Sequence, residues 1–457
     1  MQQQQGAPAS VRAVTIPFAD LRDRGKDLSG KIEEGFGPRG LGIVFIAGVP
    51  GYPELRKRLL RLAPRHVIFD CLISSVQGFR PCPSGIRATI MLYFFVSVCW
   101  IDAAIHAILV LKDVFLPLFV RFVNLPDDVK KELEDPDSRY HIGWSHGKEK
   151  HENGGWDTSK GSYFANPVFD VPTTDDVLVT RRAWSTFKEE ISPSTVVSLV
   201  TTVDSNSLSS AMAGSAMMAK GLGGWVLVVA WRQLRYPSYC RPNIWPTDHL
   251  PEFETAFKDL GKLMLEVGLM LAHHCDHYVM QQGVRQYVGE NLEQTLVRSR
   301  CPKGRLLYYF PKQFSKENEG VQSVSSWCGW HTDYGFLTGD PQYPYGLRVV
   351  IVHAGLTCGL FARKSEEVPC PDGSGLYVRT RDNQVLQVTF EDDELAFQIG
   401  ETAEILSSGH LCATPHCVKA PSSENTSDVG RSTFVLFIQP DWDEKLELPS
   451  EIPHHQE

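Results

Sequence analysis

The chain has 457 residues, of which 42% are hydrophobic and 22% are charged, so it can bury a sizeable globular core. Its formal net charge of -9 argues against a nucleic-acid partner, because nucleic acids are bound mainly by clustered Lys and Arg. Eleven cysteines without a repeating CxxC spacing indicate reduced thiols, and the N-terminus lacks a basic start followed by an apolar core. We therefore expect a cytoplasmic protein with no nucleic-acid or membrane partner. A monomer is the default expectation for its oligomeric state, which the sequence does not determine.

Helical patterns dominate the first half of the chain. Within Pro53–Arg65, Leu55, Leu59 and Leu62 recur at spacings of four and three, which predicts an amphipathic helix. Asp248–Met280 carries a longer stripe of the same period and predicts a helix that supports the core. The stripe consists of Phe253, Phe257, Leu260, Met264, Val267 and Leu271.

The second half changes to short runs rich in Val, Leu, Phe and Tyr, separated by turn-forming stretches such as PCPDGSG and RDNQ. So many short strands predict a sandwich or barrel, and a double-sheet jelly roll is one solution. The predicted strands are Arg305–Phe310, Gly346–Val352, Leu376–Thr380, Gln384–Phe390, Glu394–Ile399 and Thr433–Ile438.

The sequence HTDYG, which begins at His331, carries the strongest chemical signal. Alternate side chains of an extended strand share a face, so His331 and Asp333 point the same way. His416, in ATPHCVKAP beyond Gly409, is the best third ligand. Two histidines and one carboxylate on one face leave the opposite positions of a metal open, which suits non-haem iron(II) better than zinc.

A second constellation follows His416 by fifteen residues. Arg431 begins the sequence RSTFVLF, a predicted strand in which Arg431 and Thr433 share a face. A guanidinium binds a carboxylate through two parallel hydrogen bonds, and a neighbouring hydroxyl can add a third. This pair is therefore suited to anchor the far end of an acid that chelates the metal.

HTDYG, GETAEILSSGHLCATPH and RST before an apolar strand, in that order, resemble the plant-type 2-oxoglutarate- and iron(II)-dependent dioxygenases, the isopenicillin-N-synthase-like family. VTIPFADL is similar to the opening strand of that family, RLLYYFP to its strand before the HxD motif, and the helix Asp248–Met280 to its backbone helix. The resemblance implies an α+β fold, in which N-terminal helices and a long supporting helix accompany a double-stranded β-helix (jelly roll). It also implies one domain over residues 1–457, with a helical part at about 1–290 and a catalytic part at about 300–445.

The same resemblance implies three metal ligands and three residues that hold 2-oxoglutarate. The metal ligands are His331, Asp333 and His416. The co-substrate residues are Arg431, Thr433 and Tyr309. The chain departs from the family pattern at three positions: Leu307 stands where many members have Asn, Thr433 replaces Ser, and Cys417 follows the distal His where Arg is common.

The activity implied by the resemblance couples oxidative decarboxylation of 2-oxoglutarate by dioxygen to hydroxylation of a small organic metabolite, with ascorbate as an optional reductant. Desaturation or ring closure would use the same residues, and the resemblance suggests plant metabolism. Three alternatives stay open: an iron-dependent oxidase that does not use 2-oxoglutarate, a non-catalytic protein of the same fold, and a membrane protein anchored by Thr89–Phe119. The apolar run in this last segment is interrupted by charged residues and falls short of the ~20 apolar residues of a spanning helix.

Other histidines provide weaker metal-binding candidates. His273 and His277 lie one turn apart on the long predicted helix, beside His274 and Asp276, but no Glu is placed as in HExxH. A polar, solvated helix end is the simpler interpretation. His410 lies near the distal ligand, yet the Ala-Thr-Pro context favours His416.

Three segments interrupt the family pattern, at about residues 66–120, 191–234 and 340–354. Each falls where the family would run directly from one motif to the next. We interpret them as extraneous insertions, either translated non-coding sequence or a splice variant. The third lies between Asp333 and His416, so it bears most directly on the metal site.

Overall fold

The structure, a computed structural model, describes residues 9–60, 118–149, 155–173, 217–221, 224–228, 237–284, 291–311, 326–333, 352–363, 366–442 and 444. The predicted strand Gly346–Val352, apart from Val352, and most of the three interpreted insertions lie outside these ranges. Across the described ranges, no helix has the length and apolar character required to cross a membrane.

One long helix supports the domain, as the apolar stripe predicted. It begins at Pro251, three residues later than expected, because proline is favoured in the first helical turn, where its missing N–H is not needed. All six stripe residues are fully buried. Gly268 lets this helix approach the sheet closely, since a Cβ there would lie 2.2 Å from Ile438 Cδ1. The described helices are α1 Phe18–Arg22, α2 Ser29–Phe36, α3 Tyr52–Leu60, α4 Leu118–Val123, α5 Asp127–Glu132, α6 Pro237–Cys240, α7 Pro251–Gln281, α8 Leu292–Val297 and α9 Glu401–Leu406.

The strands form two facing sheets and a separate hairpin. The described strands are β1 Ser10–Val11, β2 Val14–Pro17, β3 Ile43–Ala47, β4 Gly143–His146, β5 Lys160–Ala165, β6 Met217–Gly221, β7 Gly224–Val228, β8 Lys303–Tyr309, β9 Ser326–His331, β10 His353–Thr357, β11 Leu360–Arg363, β12 Glu366–Val368, β13 Gly375–Arg379, β14 Val385–Val388, β15 Leu395–Ile399, β16 His416–Lys419 and β17 Val429–Ile438. The larger sheet has the order β2-β3-β15-β10-β17-β8-β5-β4, with β11 and β12 attached through β17, and the smaller has the order β1-β14-β13-β16-β9. β6 and β7 pair with each other.

Two hydrophobic cores flank the larger sheet. The side chains of strand β17 point alternately into one core and into the other. Phe434 and Leu436 point to the core shared with the long helix α7. Val429 and Val435 point to the second core, which fills the space between the two sheets. Because side chains alternate along a strand, Arg431 and Thr433 lie on this inner side as well. The predicted α+β fold, with a double-stranded β-helix core and a long supporting helix, is confirmed.

The larger sheet contains more strands from the first half of the chain than the sequence predicted. Strand β2 lies in VTIPFADL, the expected opening strand, whereas β3, β4 and β5, which also precede residue 290, were not predicted. Residues 353 and 354, the end of the third interpreted insertion, also enter it. His353 is the first residue of β10, is 2% exposed, and donates from Nε2 to the carbonyl of Gly268 on α7 at 3.0 Å.

Candidate metal centre and carboxylate site

Strands β9 and β16 bring two of the predicted metal ligands face to face. The strands run antiparallel, and the register places His331 directly opposite His416. The centroids of the two imidazole rings are 4.2 Å apart. The two histidines, 85 positions apart in the chain, are thus neighbours across the smaller sheet.

Asp333 completes the cluster from just beyond the end of β9. Its Oδ1 lies 3.8 Å from Nε2 of His416, and the residue is 9% exposed. The three residues each offer one ligand atom, and these atoms lie within 4.8 Å of one another. Throughout the described part of the chain, this is the one group of three or more such residues close enough to share a metal ion.

Backbone carbonyls orient both imidazole rings toward the cluster. Nδ1 of His331 donates to the carbonyl of Gly329 at 2.9 Å, and Nδ1 of His416 donates to that of Thr414 at 3.3 Å. Since a carbonyl can only accept, Nδ1 carries a hydrogen in each ring and Nε2 is directed to the ligand position. Histidine ligands in metal sites commonly have this second hydrogen bond.

The electrostatic environments of the two histidines differ. Burial lowers the pKa of His416 to about 4, so its imidazole is neutral at neutral pH. Burial also lowers the pKa of His331, but the hydrogen bond and charge of Cys328, whose Sγ lies 3.7 Å from Nδ1, and the charge of Asp333 outweigh it and raise the pKa to about 9. A metal ion that binds here would therefore displace a proton from His331.

Helix α9 supports the segment that carries the ligands His331 and Asp333. The Thr332 hydroxyl donates to the carboxylate of Glu401, the first residue of α9, and the backbone N–H of Glu401 donates to the carbonyl of Asp333 at 3.1 Å. Sequence reasoning missed Glu401, although it lies inside the quoted motif GETAEILSSGHLCATPH. The sequence feature that could have identified Glu401 is its position at the start of a helix.

Arg431 lies on the inner side of β17, and no described carboxylate pairs with its charge. The residue is 5% exposed, and neither Nε nor Nη1 has a hydrogen-bond partner among the residues that the structure describes. The guanidinium carbon lies 5.4 Å from the ring centre of Tyr309 and 5.9 Å from that of Phe361. Gly359 leaves room for it, because a Cβ there would lie only 2.3 Å from Nε.

The other predicted co-substrate residues surround Arg431 on the same surface. Tyr309 is its register partner on β8, and burial raises the pKa of this tyrosine to about 12. The Thr433 hydroxyl already donates to the carbonyl of Thr357 at 3.1 Å, so it can receive a further hydrogen bond but has no free proton to give. Leu307 lies opposite Thr433 and is buried, so the Asn of the family is replaced by an apolar wall.

A half-buried ion-pair network adjoins this surface and was not predicted. Lys160, the register partner of Tyr309 on β5, lies 3.0 Å from Glu149, which also binds Arg305 at 2.5 Å. Burial raises the pKa of Glu149, but the two cations outweigh it and the net value falls to about 2. The cations beside Tyr309 are thus neutralised by the chain itself, in contrast to Arg431.

The weaker histidine candidates have other partners. Nδ1 of His273 lies 3.1 Å from the carboxylate of Glu293, and Nε2 of His274 donates to a backbone carbonyl. The interpretation of this helix end as solvated holds for His277, which is exposed, and is wrong for His274 and Asp276, which are 2% and 6% exposed. Asp276 accepts the first backbone N–H groups of α8, which explains the buried carboxylate. His410 is half-buried and lies outside the metal-binding cluster.

No protein-family model matches the sequence, and a search of curated proteins finds no match either. Solved structures do match. A full-length Neurospora crassa protein, solved in complex with alpha-KG, is 14% identical, with 95% of this chain and 88% of that chain covered and a TM-score of 0.47. JOX2 in complex with 2OG, Fe and JA is 14% identical over 98% and 78% of the two chains, with a TM-score of 0.42. The dioxygenase for auxin oxidation in rice is 13% identical over 96% and 87%, also with a TM-score of 0.42. The chain is thus similar in structure to 2OG-Fe(II) oxygenases, at a distance that transfers no activity or substrate.

Proposed function

We propose that the chain is a cytoplasmic, monomeric non-haem iron(II) oxygenase that couples oxidative decarboxylation of 2-oxoglutarate to hydroxylation, or desaturation, of a small organic metabolite. One observation carries the proposal. The inner surface of the double-stranded β-helix holds a cluster of two imidazoles and a carboxylate, and the same surface holds a buried guanidinium with unpaired nitrogens.

The cluster fits iron(II) in its donor chemistry. Two imidazole nitrogens and one carboxylate oxygen are the ligand set that leaves several metal positions open. Nε2 of His331 and Nε2 of His416 are oriented by carbonyls at Nδ1, and Asp333 is held by the backbone N–H of Glu401. Bound together, iron(II), dioxygen and 2-oxoglutarate supply an oxidant able to break a C–H bond, with succinate and carbon dioxide as products.

Arg431 fits the distal carboxylate of 2-oxoglutarate. A buried charge without a partner costs several kcal/mol, so the structure favours an anion at this position. The guanidinium can donate two parallel hydrogen bonds to one carboxylate, and its Nε and Nη1 have no partner among the described residues. The Thr433 hydroxyl lies on the same face of β17 and would add a third hydrogen bond by turning from the Thr357 carbonyl to the carboxylate. Tyr309 and Phe361 beside the guanidinium are buried, and their apolar rings strengthen this charge pair.

The decisive experiment measures succinate released from 2-oxoglutarate by the iron(II)-loaded protein, with ascorbate, across a panel of small organic metabolites. We expect release to depend on one class of metabolite and to be abolished in His331→Ala. His410→Ala is the matched control, because it removes a neighbouring histidine that lies outside the cluster. Binding of Mn(II) by calorimetry should weaken at least about 100-fold in His331→Ala, more than the loss of an outer-sphere partner usually causes.

Each alternative has its own signature in these measurements. Succinate release that is equal in wild type and His331→Ala would overturn the metal assignment. Metabolite-dependent oxygen consumption that needs iron but not 2-oxoglutarate would identify an iron-dependent oxidase, with Arg431 holding another carboxylate. Absence of metal binding in a folded wild-type protein would identify a non-catalytic member of the fold.

A further inference from the structure

A cavity of about 600 Å³ adjoins Arg431 at one end of the β-helix. It lies between the loop around Cys358 and the facing strands β13 and β14. Its walls combine apolar side chains with polar and charged ones, and Arg431 contributes the buried positive charge. The principal lining residues are Cys358, Phe361, Leu376, Val388, Phe390 and Arg431.

The cavity lies at the opposite end of the barrel from the metal-binding cluster. His416 is in register with Val378, at the far end of β13, whereas the cavity is lined by Ser374 and Leu376 at its beginning. A strand advances about 3.4 Å per residue. Along β13, Val378 is therefore about 7 Å from Leu376 and about 14 Å from Ser374. None of the three metal-binding residues lines the cavity.

The charges around the cavity leave Arg431 as the group that needs a ligand. Asp392 also lines it, but this carboxylate lies 3.3 Å from the guanidinium of Arg56. Glu367 lies at the rim and is exposed, so water solvates its charge. Arg431 is 5% exposed, and its Nε and Nη1 have no partner among the described residues.

The size and lining of the cavity indicate the chemistry of its occupant. Pockets of about 300–1,000 Å³ hold drug-sized ligands, whereas 2-oxoglutarate has only ten non-hydrogen atoms. Phe361, Leu376 and Phe390 present apolar surface that a short, wholly polar dicarboxylate would not use. We propose that this cavity is a binding site for an amphipathic carboxylic acid, with its carboxylate on Arg431 and its apolar body between Phe361, Leu376 and Phe390.

This binding site is distinct from the proposed oxygenase site, but both use Arg431. Binding of the acid needs neither iron nor 2-oxoglutarate, so it can be measured in the metal-free protein. Where 2-oxoglutarate also uses Arg431, the acid competes with it, because one guanidinium cannot neutralise two carboxylates. The acid is then an inhibitor that acts from the end of the barrel remote from the metal.

The test is calorimetric titration of the full-length, metal-free protein with 3-phenylpropionate as the probe. We expect saturable binding at one site, and at least about tenfold weaker binding of 3-phenylpropanamide, which lacks the charge, and of acetate, which lacks the apolar body. Arg431→Gln should weaken 3-phenylpropionate binding at least about tenfold. Equal affinities for the acid and its amide would overturn the proposal, as would binding unchanged in Arg431→Gln.

A second variant guards against misfolding of a protein altered at the buried Arg431. Thr389 is exposed at the rim of the cavity, so Thr389→Trp fills the entrance without disturbing the core. We expect it to weaken 3-phenylpropionate binding about tenfold, whereas Gln384→Trp, on an exposed turn outside the lining, leaves it unchanged. Equal affinity in the two variants would place the acid elsewhere and refute the site. A wild-type protein that binds the acid but releases no succinate would refute the oxygenase function alone.

Discussion

Gly359→Ala separates the position of the Arg431 guanidinium from its charge. A Cβ at residue 359 would lie 2.3 Å from Nε and 2.8 Å from both Cζ and Nη2 of Arg431. Gly359 has no positive φ angle, so alanine is compatible with the backbone. The atoms in conflict belong to the flexible end of a side chain, so we expect the guanidinium to move while the fold is retained.

The distance by which the Arg431 guanidinium moves determines how much the affinity for 2-oxoglutarate falls. An ordinary contact requires at least 3.4 Å, so Nε must move by about 1 Å. Hydrogen bonds to charged groups contribute roughly 1.5–3 kcal/mol each, and a misplacement of this size weakens or removes at least one of them. We therefore expect about tenfold to hundredfold weaker binding of 2-oxoglutarate, with the affinity for Mn(II) alone unchanged, because the metal ligands lie on other strands.

The assay is anaerobic titration of the Mn(II)-loaded protein with 2-oxoglutarate, with thermal unfolding as a check on the fold. Gly30→Ala is the matched control, because a Cβ at that position meets nothing within 4 Å. An affinity for 2-oxoglutarate within twofold of wild type in Gly359→Ala would refute the assignment of Arg431 as the anchor. A large loss of thermal stability would instead show that the displaced atoms are not free to move.

Three further changes test other parts of the structure. Burial lowers the pKa of His353 to about 4 in the folded protein. As the pH falls below 6.5, this histidine is protonated in the unfolded chain before it is protonated in the folded protein, so the free energy of unfolding decreases by up to about 3 kcal/mol at pH 4. His353→Gln, which can still donate to Gly268, should show a smaller drop in urea denaturation at pH 7 and 4.5. Asp276→Ala removes the acceptor of two backbone N–H groups at the start of α8 and should cost about 1–2 kcal/mol in the same assay. Glu401→Ala removes the partner of Thr332 and should weaken Mn(II) binding about 10–100-fold with little change in thermal stability.

Local rules were sufficient to predict the residues that the site brings together. Strand alternation placed Arg431 and Thr433 on one face, and the structure has both on the inner side of β17. The same rule paired His331 with Asp333, although the strand ends at His331 and Asp333 lies in the following segment. Their closeness therefore depends also on Glu401, whose backbone N–H fixes the carbonyl of Asp333.

Features that depend on distant contacts could not be predicted from the sequence. Gly359 and Arg431 are 72 positions apart, and only the pairing of β11 with β17 brings them together. The start of α8 uses Asp276 on another helix as its acceptor, so Asp276 and the adjacent His274 are buried where a polar sequence predicted solvent. His353 was assigned to an insertion because its segment interrupts the family pattern, yet it forms hydrogen bonds within the sheet core.

The arrangement of cations around Arg431 determines how the two proposed ligands interact. Lys160, on the neighbouring side of Tyr309, is held by Glu149 at 3.0 Å and Asp157 at 3.2 Å. Arg56, beside the cavity, is held by Asp392 at 3.3 Å. With both neighbours already paired, Arg431 is the cation at this surface that, among the residues the structure describes, remains to neutralise an incoming carboxylate. A second carboxylate at this surface would be buried without a counter-ion, which costs several kcal/mol, so 2-oxoglutarate and an acid in the cavity should exclude each other.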